Sequence, residues 1–438
     1  MSHCETAFQA KSKQSQFLDC FDSHFGFLTM TVIFFFFFRC IPLYAEPEVL
    51  SAQDRLLLKQ IQKDSLNYFL TYTNPETGLT QDSSRSGSPA SIAATGFALA
   101  SFAIGSANGW LSYREAYEKI ERTLDTLEQH TPNEHGFFYH FVDSKTGKRV
   151  WNSEISSIDT ALLIAGALLA ASYFKGTGLE VRVKRLYERV DWNWMRNGTM
   201  QMCHGWKPKE GFLPYYWDMY SEHLILQALA LGAQTHAVPE HVWKSWRREK
   251  ENWQGNPIVY SYTGSLFTYQ FSHAFINFRG LSDDGIDYFE NSKLATLANQ
   301  NFCFLNQTQY QTYQDGVWGL SASLGPDGYQ AYGSEPGIGL HDGTIAPYAA
   351  IGSIVFTPKE SINVIRTLYE KYGQRLYGNY GFKDAFNLDR NWWANEYLGI
   401  DQGITVMMIE NQLSDGAVWN HFMKLPAIKL WIQRAGLQ

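Results

Sequence analysis

Cysteine is scarce in this chain. Of its 5 cysteines, Cys4, Cys20 and Cys40 precede a candidate processing point at Ala45, and only Cys203 and Cys303 lie beyond it. Two cysteines so far apart provide neither metal-ligand spacing nor a disulfide framework, so buried free thiols are expected, with one bridge in an oxidising compartment as the alternative. Basic clusters are missing as well. With 36 Lys and Arg against 43 Asp and Glu the net charge is -7, and no run of Lys or Arg offers a face for phosphates, so nucleic acid is not an expected partner. There is no Gly-rich phosphate loop and no G-x-S-x-G elbow, which argues against phosphoryl transfer and serine hydrolysis. The 12 histidines show no His-x3-His or His-Glu-x2-His spacing, so no metal and no other cofactor is expected. No series of alternating strand patterns appears, and no linker or low-complexity segment follows residue 51.

A membrane-spanning run is lacking too. The apolar stretch from Leu28 to Leu43, LTMTVIFFFFFRCIPL, is too short for a comfortable span and is broken by Arg39 and Pro42. Leu43-Tyr44-Ala45 followed by Glu46-Pro47 fits a cut after Ala45. Residues 1–45 are therefore expected to be an N-terminal extension and signal peptide, with translation starting at Met1 or Met30, and the mature protein to be periplasmic or secreted. An uncleaved membrane anchor is the alternative.

What the chain has in plenty is aromatic surface and helical periodicity. Aromatics make up 16% of it, with 14 Trp and 25 Tyr, enough to line a surface that stacks on sugar rings as well as a core. Ser51-x-x-Asp54 reads as a capping box before Leu57, Ile61 and Leu66. Further helices are predicted at 89–106, 112–130, 155–175, 179–195, 221–235, 239–253, 264–279, 287–306, 343–356, 358–376 and 402–424, about twelve in all. SSIDTALLIAGALLAASYF and GTIAPYAAIGSIVF are apolar on nearly every face, whereas PEHVWKSWRREKENW and PKESINVIRTLYEKYG carry charge. Alternation of buried and peripheral helices predicts two concentric rings, an all-α (α/α)6 barrel spanning residues 46–438 as a single domain, expected to be a monomer.

The long loops lead into the apolar helices and hold most of the Trp, Asp, Glu and His, so one end of the barrel is expected to be a substrate cleft. The stretch Tyr215 to Gly232, YYWDMYSEHLILQALALG, sets Glu222 among Tyr215, Tyr216, Trp217 and Tyr220 at the mouth of a helix. Hydrolysis of an acetal needs a protonated carboxyl beside the leaving oxygen and, for inversion, a second carboxylate that activates water. Other acids at apolar-helix entrances are Glu154 and Asp159, Asp342, and Asp401. Each has a plainer reading: Asp159 complements a helix dipole, Glu222 is an ordinary first-turn acid, and Glu154 is a solvated loop residue. His223 and His273 read as hydrogen-bonded core or cleft residues. Gly343 and Gly403 would permit tight turns and close substrate approach, and Trp318, Trp392 and Trp393 are either stacking platforms or barrel wall.

Several ordered motifs carry a resemblance. WNWM at 192–195, HGWKP at 204–208, YSEHLILQALALG at 220–232, SLFTYQFSHAFINFRG at 265–280, DYFENSKLAT at 287–296, DGTIAPYAA at 342–350, YGFKDAFNL at 380–388 and YLGIDQGITVMMIENQ at 397–412 resemble the bacterial glucoamylase-like family. That family includes endo-β-1,2-glucanases and is related to a domain of cyclic β-1,2-glucan synthases. WGLSAS-x-GP-x-GY at 318–329 carries the same likeness, which spans about residues 55–437. It implies an (α/α)6 barrel, secreted or periplasmic, that cleaves β-linked glucan by an inverting, metal-free mechanism. It also implies that Glu222 is the general acid, that Asp159 is a cleft acid, and that either Asp159 or Asp401 activates water. One departure is AQTHAVP after Gly232, where S-P-T-H-P-type sequence is usual; His236 keeps its place.

The function expected is that of a glycoside hydrolase acting on an oligosaccharide or polysaccharide glucan, most specifically an endo-β-1,2-glucanase. Catalysis is assigned to Glu222, Asp159 and Asp401, and sugar binding to Trp151, Glu154, His273, Trp318, Asp342 and Trp392. Transglycosylation on the same barrel and a non-catalytic glycan-binding protein are the alternatives. A polysaccharide lyase would need a Tyr or His base and neutralising cations, and the acidic loops argue against it.

Overall fold

The computed structural model describes residues 50–438. The expectations for residues 1–45 lie outside them. Among the described residues no helix is long and apolar enough to cross a membrane. Thirteen α-helices occur there: α1 (Ala52–Tyr72), α2 (Ile92–Ala107), α3 (Tyr113–Gln129), α4 (Ser157–Tyr173), α5 (Leu179–Glu188), α6 (Leu224–Gly232), α7 (Phe271–Phe275), α8 (Tyr288–Asn306), α9 (Pro347–Gly352), α10 (Pro358–Leu376), α11 (Gly399–Leu413), α12 (Ala417–Phe422) and α13 (Pro426–Ala435).

The apolar helices form the inner ring. α2 packs on α4, α4 on α6, α6 on α7, and α11 on α7, α9 and α2, which closes the circle. Gln270, just before α7, donates from Nε2 to the carbonyl of Ala349 on α9 at 2.6 Å. α1, α3, α5, α8 and α10 lie outside, and the result is the expected (α/α)6 barrel. Backbone-to-backbone approach between inner helices requires the small residues: a Cβ on Gly166 of α4 would lie 1.9 Å from the carbonyl oxygen of Gly96 on α2. Outer helices bury one stripe. α3 turns Ala116, Ile120, Leu124 and Leu127 inward, and a Ser112/Glu115 capping box fixes its start. The Ser51/Asp54 box does the same for α1, and Arg366 of α10 grips Asp54 with Nη2 to Oδ2 at 2.7 Å.

Three helix expectations are corrected. Residues 239–253 are not a helix: a 3-10 turn over Glu240–Lys244 is followed by a hairpin of Lys250–Trp253 with Asn256–Val259. The hairpin turns on Gln254 and Gly255, both left-handed at φ 50° and 85°, the conformation a two-residue loop requires. The outer position left by that helix is filled from the C-terminus by α13, which packs on α6. Trp431 meets Trp243 at 5.4 Å, and Arg434 donates to the carbonyls of Leu231 and Ala233 at the end of α6. Residues 264–279 shrink to a 3-10 turn at Leu266–Tyr269 and the short α7, because their aromatic and β-branched residues favour helix weakly. The helix expected at 402–424 begins earlier, at Gly399, and breaks at Asp415 and Gly416, both at positive φ. Two- to four-residue strands, none anticipated, pair into small sheets within the loops.

Cys203 and Cys303 are free and buried, which rules out the alternative of a bridge between them.

Candidate active site

The loops that enter the inner helices are tied to one another, and this collects the acids at one end of the barrel. Gly399 at the start of α11 donates to the Asp82 carbonyl at 2.8 Å, Ile92 of α2 to that of His140 at 3.1 Å, and Ser157 of α4 to that of His204 at 3.0 Å. Ser272 Oγ of α7 closes on the Glu222 carbonyl at 2.6 Å.

Glu222 lies in the turn before α6, one residue ahead of its N-cap His223. It is not a first-turn acid. It borders a cavity of about 790 Å³ shared with Tyr215, Tyr216, Trp217, His204 and Tyr262. Only 9% exposed, its carboxyl accepts from the Ser221 hydroxyl. Desolvation pushes the group up to about 7, against hydrogen bonds from Ser221 and its own amide and with help from the charge of Asp159. A carboxylic acid that keeps its proton near neutrality can donate it. Trp217 is fixed by its indole N–H on Ser157 Oγ at 2.9 Å and stacks on His204 at 3.9 Å. His223 is fully buried, and burial with the nearby charges of His204 and Arg248 pushes it down to about 3, so it is neutral.

Asp159 stands in the first turn of α4, where Ser156 caps the helix; Ser156 Oγ donates to Asp159 Oδ2 at 2.5 Å. His140 bridges it to Glu154. Its Nδ1 meets Glu154 Oε1 at 2.9 Å and its Nε2 lies 3.5 Å from Asp159 Oδ1. Burial opposes the imidazolium, but the charges of Asp159, Glu154 and Asp82 outweigh it and raise His140 to about 9. Glu154 is lowered, first by the hydrogen bond from His140. Asp82 is raised by desolvation to about 6, with His140 opposing and Asp159 adding. Asp82, His140 and the exposed Trp151 line a second cavity of about 430 Å³.

Asp401 is buried in the first turn of α11 and is hydrogen-bonded to the carboxyl of Asp384. Among the described residues Asp384 Oδ1 and Asp401 Oδ2 meet no ordinary donor, while Asp384 Oδ2 accepts from the Leu324 amide at 2.8 Å. Desolvation and the neighbouring charge hold the pair's proton far above the usual carboxylate range. Tyr329, on the hairpin of Ser323–Gly325 with Gly328–Gln330, ties the groups together. Its hydroxyl is desolvated, and the charges of Asp401, Asp384, Asp82 and Glu222 all raise it. The charges of four acids, Asp82, Glu222, Asp384 and Asp401, thus reach one phenol.

Glu222, Asp159, Glu154, Asp401 and Trp151 come together at this end of the barrel. The other binding candidates do not. His273 is sealed in the barrel wall, with Nε2 on Ser292 Oγ at 2.9 Å and its ring against Phe278, Phe289 and Phe356. Trp318 is 1% exposed and borders a small cavity on the outer face of α8. Asp342 organises its own loop: Thr344 N donates to Oδ1 at 2.9 Å and the Tyr332 hydroxyl to Oδ2 at 3.1 Å. Trp392 pairs with Asn387 in a two-residue strand and borders neither cleft cavity. Gly343 does make a tight turn, at φ 94°, but Gly403 serves helix packing, since a Cβ there would lie 2.3 Å from the ring of Phe97. The residues missed are Asp82, His140, Tyr329 and Asp384. Among the described residues no group of three or more His, Cys, Asp and Glu is placed to hold a metal ion.

Known proteins share this architecture. The glycoamylase family model, described as "Putative glucoamylase", matches residues 214–426. A Bacteroides uniformis crystal structure described as a "putative glucoamylase" is 31% identical, with a TM-score of 0.84, covering 89% of this chain and 98% of that one. An endo-β-1,2-glucanase from Chitinophaga pinensis, solved with sophorotriose and glucose, is 26% identical with a TM-score of 0.83, covering 89% and 99%. A curated relative, the exo β-1,2-glucooligosaccharide sophorohydrolase (non-reducing end) of Parabacteroides distasonis, is 28% identical over 420 residues, 87% of this chain; the chain spans 58% of that relative's length. Barrel and acid-lined cleft define a glycoside hydrolase class. Within it, the chain belongs to the glucoamylase-like family.

Proposed function

We propose that the protein is an exported enzyme that hydrolyses β-1,2-linked glucan within the chain, with inversion, using a single catalytic domain from residue 46. The observation that carries this reading is the desolvated carboxyl of Glu222, which borders an aromatic cavity and is held protonated to about 7. β-1,2-Linkage follows the named substrates of the Chitinophaga and Parabacteroides relatives. The breadth of the Glu222 cavity and the second cavity beside Trp151 favour binding of sugar units on both sides of the scissile bond.

Glu222 gives its proton to the glycosidic oxygen as the bond to the anomeric carbon breaks. Water attacks the opposite face and passes its proton to the Asp384–Asp401 pair, which shares one proton between two carboxyls and has room for a second. Asp401 is preferred to Asp159 as base because the Asp159 carboxyl is already engaged by both Ser156 and a cationic His140. Asp159 instead adds its charge to the desolvation that keeps Glu222 protonated. Trp151, Tyr329 and Trp217 offer ring faces to the sugar.

The test is incubation of the purified chain with linkage-defined β-glucans, following products by chromatography and their anomers by NMR. Internal cleavage of β-1,2-glucan with the α-anomer released first is expected. Folded protein that leaves every β-glucan intact would contradict the proposal, and transfer to sugar acceptors rather than water would favour the transglycosylase.

A further inference from the structure

Outside the cleft, a groove crosses the outer face of α8. It consists of two cavities of about 480 and 320 Å³ that share Trp253 and Asn301. Trp253 projects from the hairpin at Lys250–Trp253, and Phe304 of α8 stands 60% exposed along the same groove. Gln300 and Asn301 are half-buried there, and their carboxamides make no hydrogen bond among the described residues. Glu335 lines the upper part.

The groove adjoins the cleft through one short segment. Tyr260 lines the groove, while the next residues, Ser261, Tyr262 and Thr263, line the cavity that holds Glu222. Tyr262 is 65% exposed on the rim between them, and its carbonyl accepts from the Ile338 amide at 3.0 Å.

We infer that this groove is a second glucan-holding surface, which takes the part of a long substrate that leaves the cleft over the Tyr262 rim. The inference rests on the function proposed above. Aromatic faces suit the apolar face of a pyranose, and free carboxamides suit its hydroxyls. An apolar protein partner would leave Gln300 and Asn301 desolvated and unpaired, which disfavours it. Sugar satisfies both the rings and the amides.

The test uses the full chain with Trp253→Ala, Phe304→Ala and, as a conservative control, Trp253→Phe. Binding is measured in a Glu222→Gln background by affinity electrophoresis against long β-1,2-glucan and by calorimetry against its trisaccharide. The alanine variants should bind the polymer about tenfold more weakly, as expected for loss of an aromatic anchor, and the trisaccharide equally well. In the active enzyme, KM for polymer should rise by the same factor with kcat and trisaccharide cleavage unchanged, and Trp253→Phe should restore binding. Polymer affinity unchanged in both folded alanine variants would overturn the inference, as would light scattering that shows a dimer lost on Trp253→Ala. If wild type cleaves β-glucan and Trp253→Ala behaves identically, the groove alone fails. If folded wild type neither binds nor cleaves any β-glucan, both readings fail.

Discussion

The buried acid at the centre of the cleft makes the stability of this protein depend on pH in a calculable way. Glu222 ionises near 4.5 in an unfolded chain but near 7 in the folded one, chiefly because its carboxyl is desolvated. Its contribution to stability is therefore fully present below 4.5, falls as pH rises toward 7 and is absent above it. At about 1.4 kcal/mol per pH unit the total is about 3 kcal/mol. Glu222→Gln keeps the shape and removes the ionisation. Denaturant unfolding of both proteins from pH 4 to pH 9 isolates the effect, since groups common to both cancel in the difference. The variant's stability relative to wild type should rise by about 3 kcal/mol between pH 4 and pH 8 and stay level beyond. A difference independent of pH would refute the claim that the folded protein holds this proton.

Other consequences are equally open to measurement. Asp401→Asn should lower kcat by about a hundredfold or more, as loss of a general base does, with an undiminished melting temperature because the buried pair already holds a proton and the amide can keep the hydrogen bond to Asp384. His140→Ala should destabilise by about 2 kcal/mol at pH 6, an allowance made for solvent at its partly exposed ring, and the difference should vanish as pH rises from 6.5 through about 9, where wild type loses the imidazolium. Gly166→Ala should cost about 3 kcal/mol or more in unfolding measurements, since the new methyl would meet the Gly96 carbonyl oxygen and backbone cannot yield easily. Trp318→Ala should cost about 3–5 kcal/mol of stability yet leave trisaccharide affinity in the cleft unchanged by calorimetry, because the ring is barrel wall and borders neither cleft cavity.

The inner ring could be read from sequence because a helix with neighbours on all sides must be apolar throughout and small where backbones meet, as α2 and α4 are. Outer helices were legible where one stripe carries the apolar residues, as in α3. The helix expected at 239–253 failed because Trp243 and Trp246 mimic a helical stripe, while the feature that decides the segment is a left-handed Gln254-Gly255 turn. Its replacement by α13 is a long-range contact with no local signal. The same division holds at the site. Glu222, Asp159 and Asp401 stand where a polar cluster meets an apolar helix, a local pattern. Asp82 and His140 lie in polar loops and acquire their setting only when α2 and α4 bring those loops side by side. Asp384, inside YGFKDAFNL, was visible as a motif, but its pairing with Asp401 spans two strands and a helix entrance. His273 and Trp318 show the converse error, since residue types that suit sugar also suit an aromatic core.

The central claim is that Glu222 delivers the proton that breaks the glycosidic bond. It is tested most directly by turnover and binding of Glu222→Gln on β-1,2-glucan beside wild type. The account predicts that kcat collapses by about a hundredfold or more while glucan is still bound. Turnover by the folded variant at the wild-type rate would contradict it.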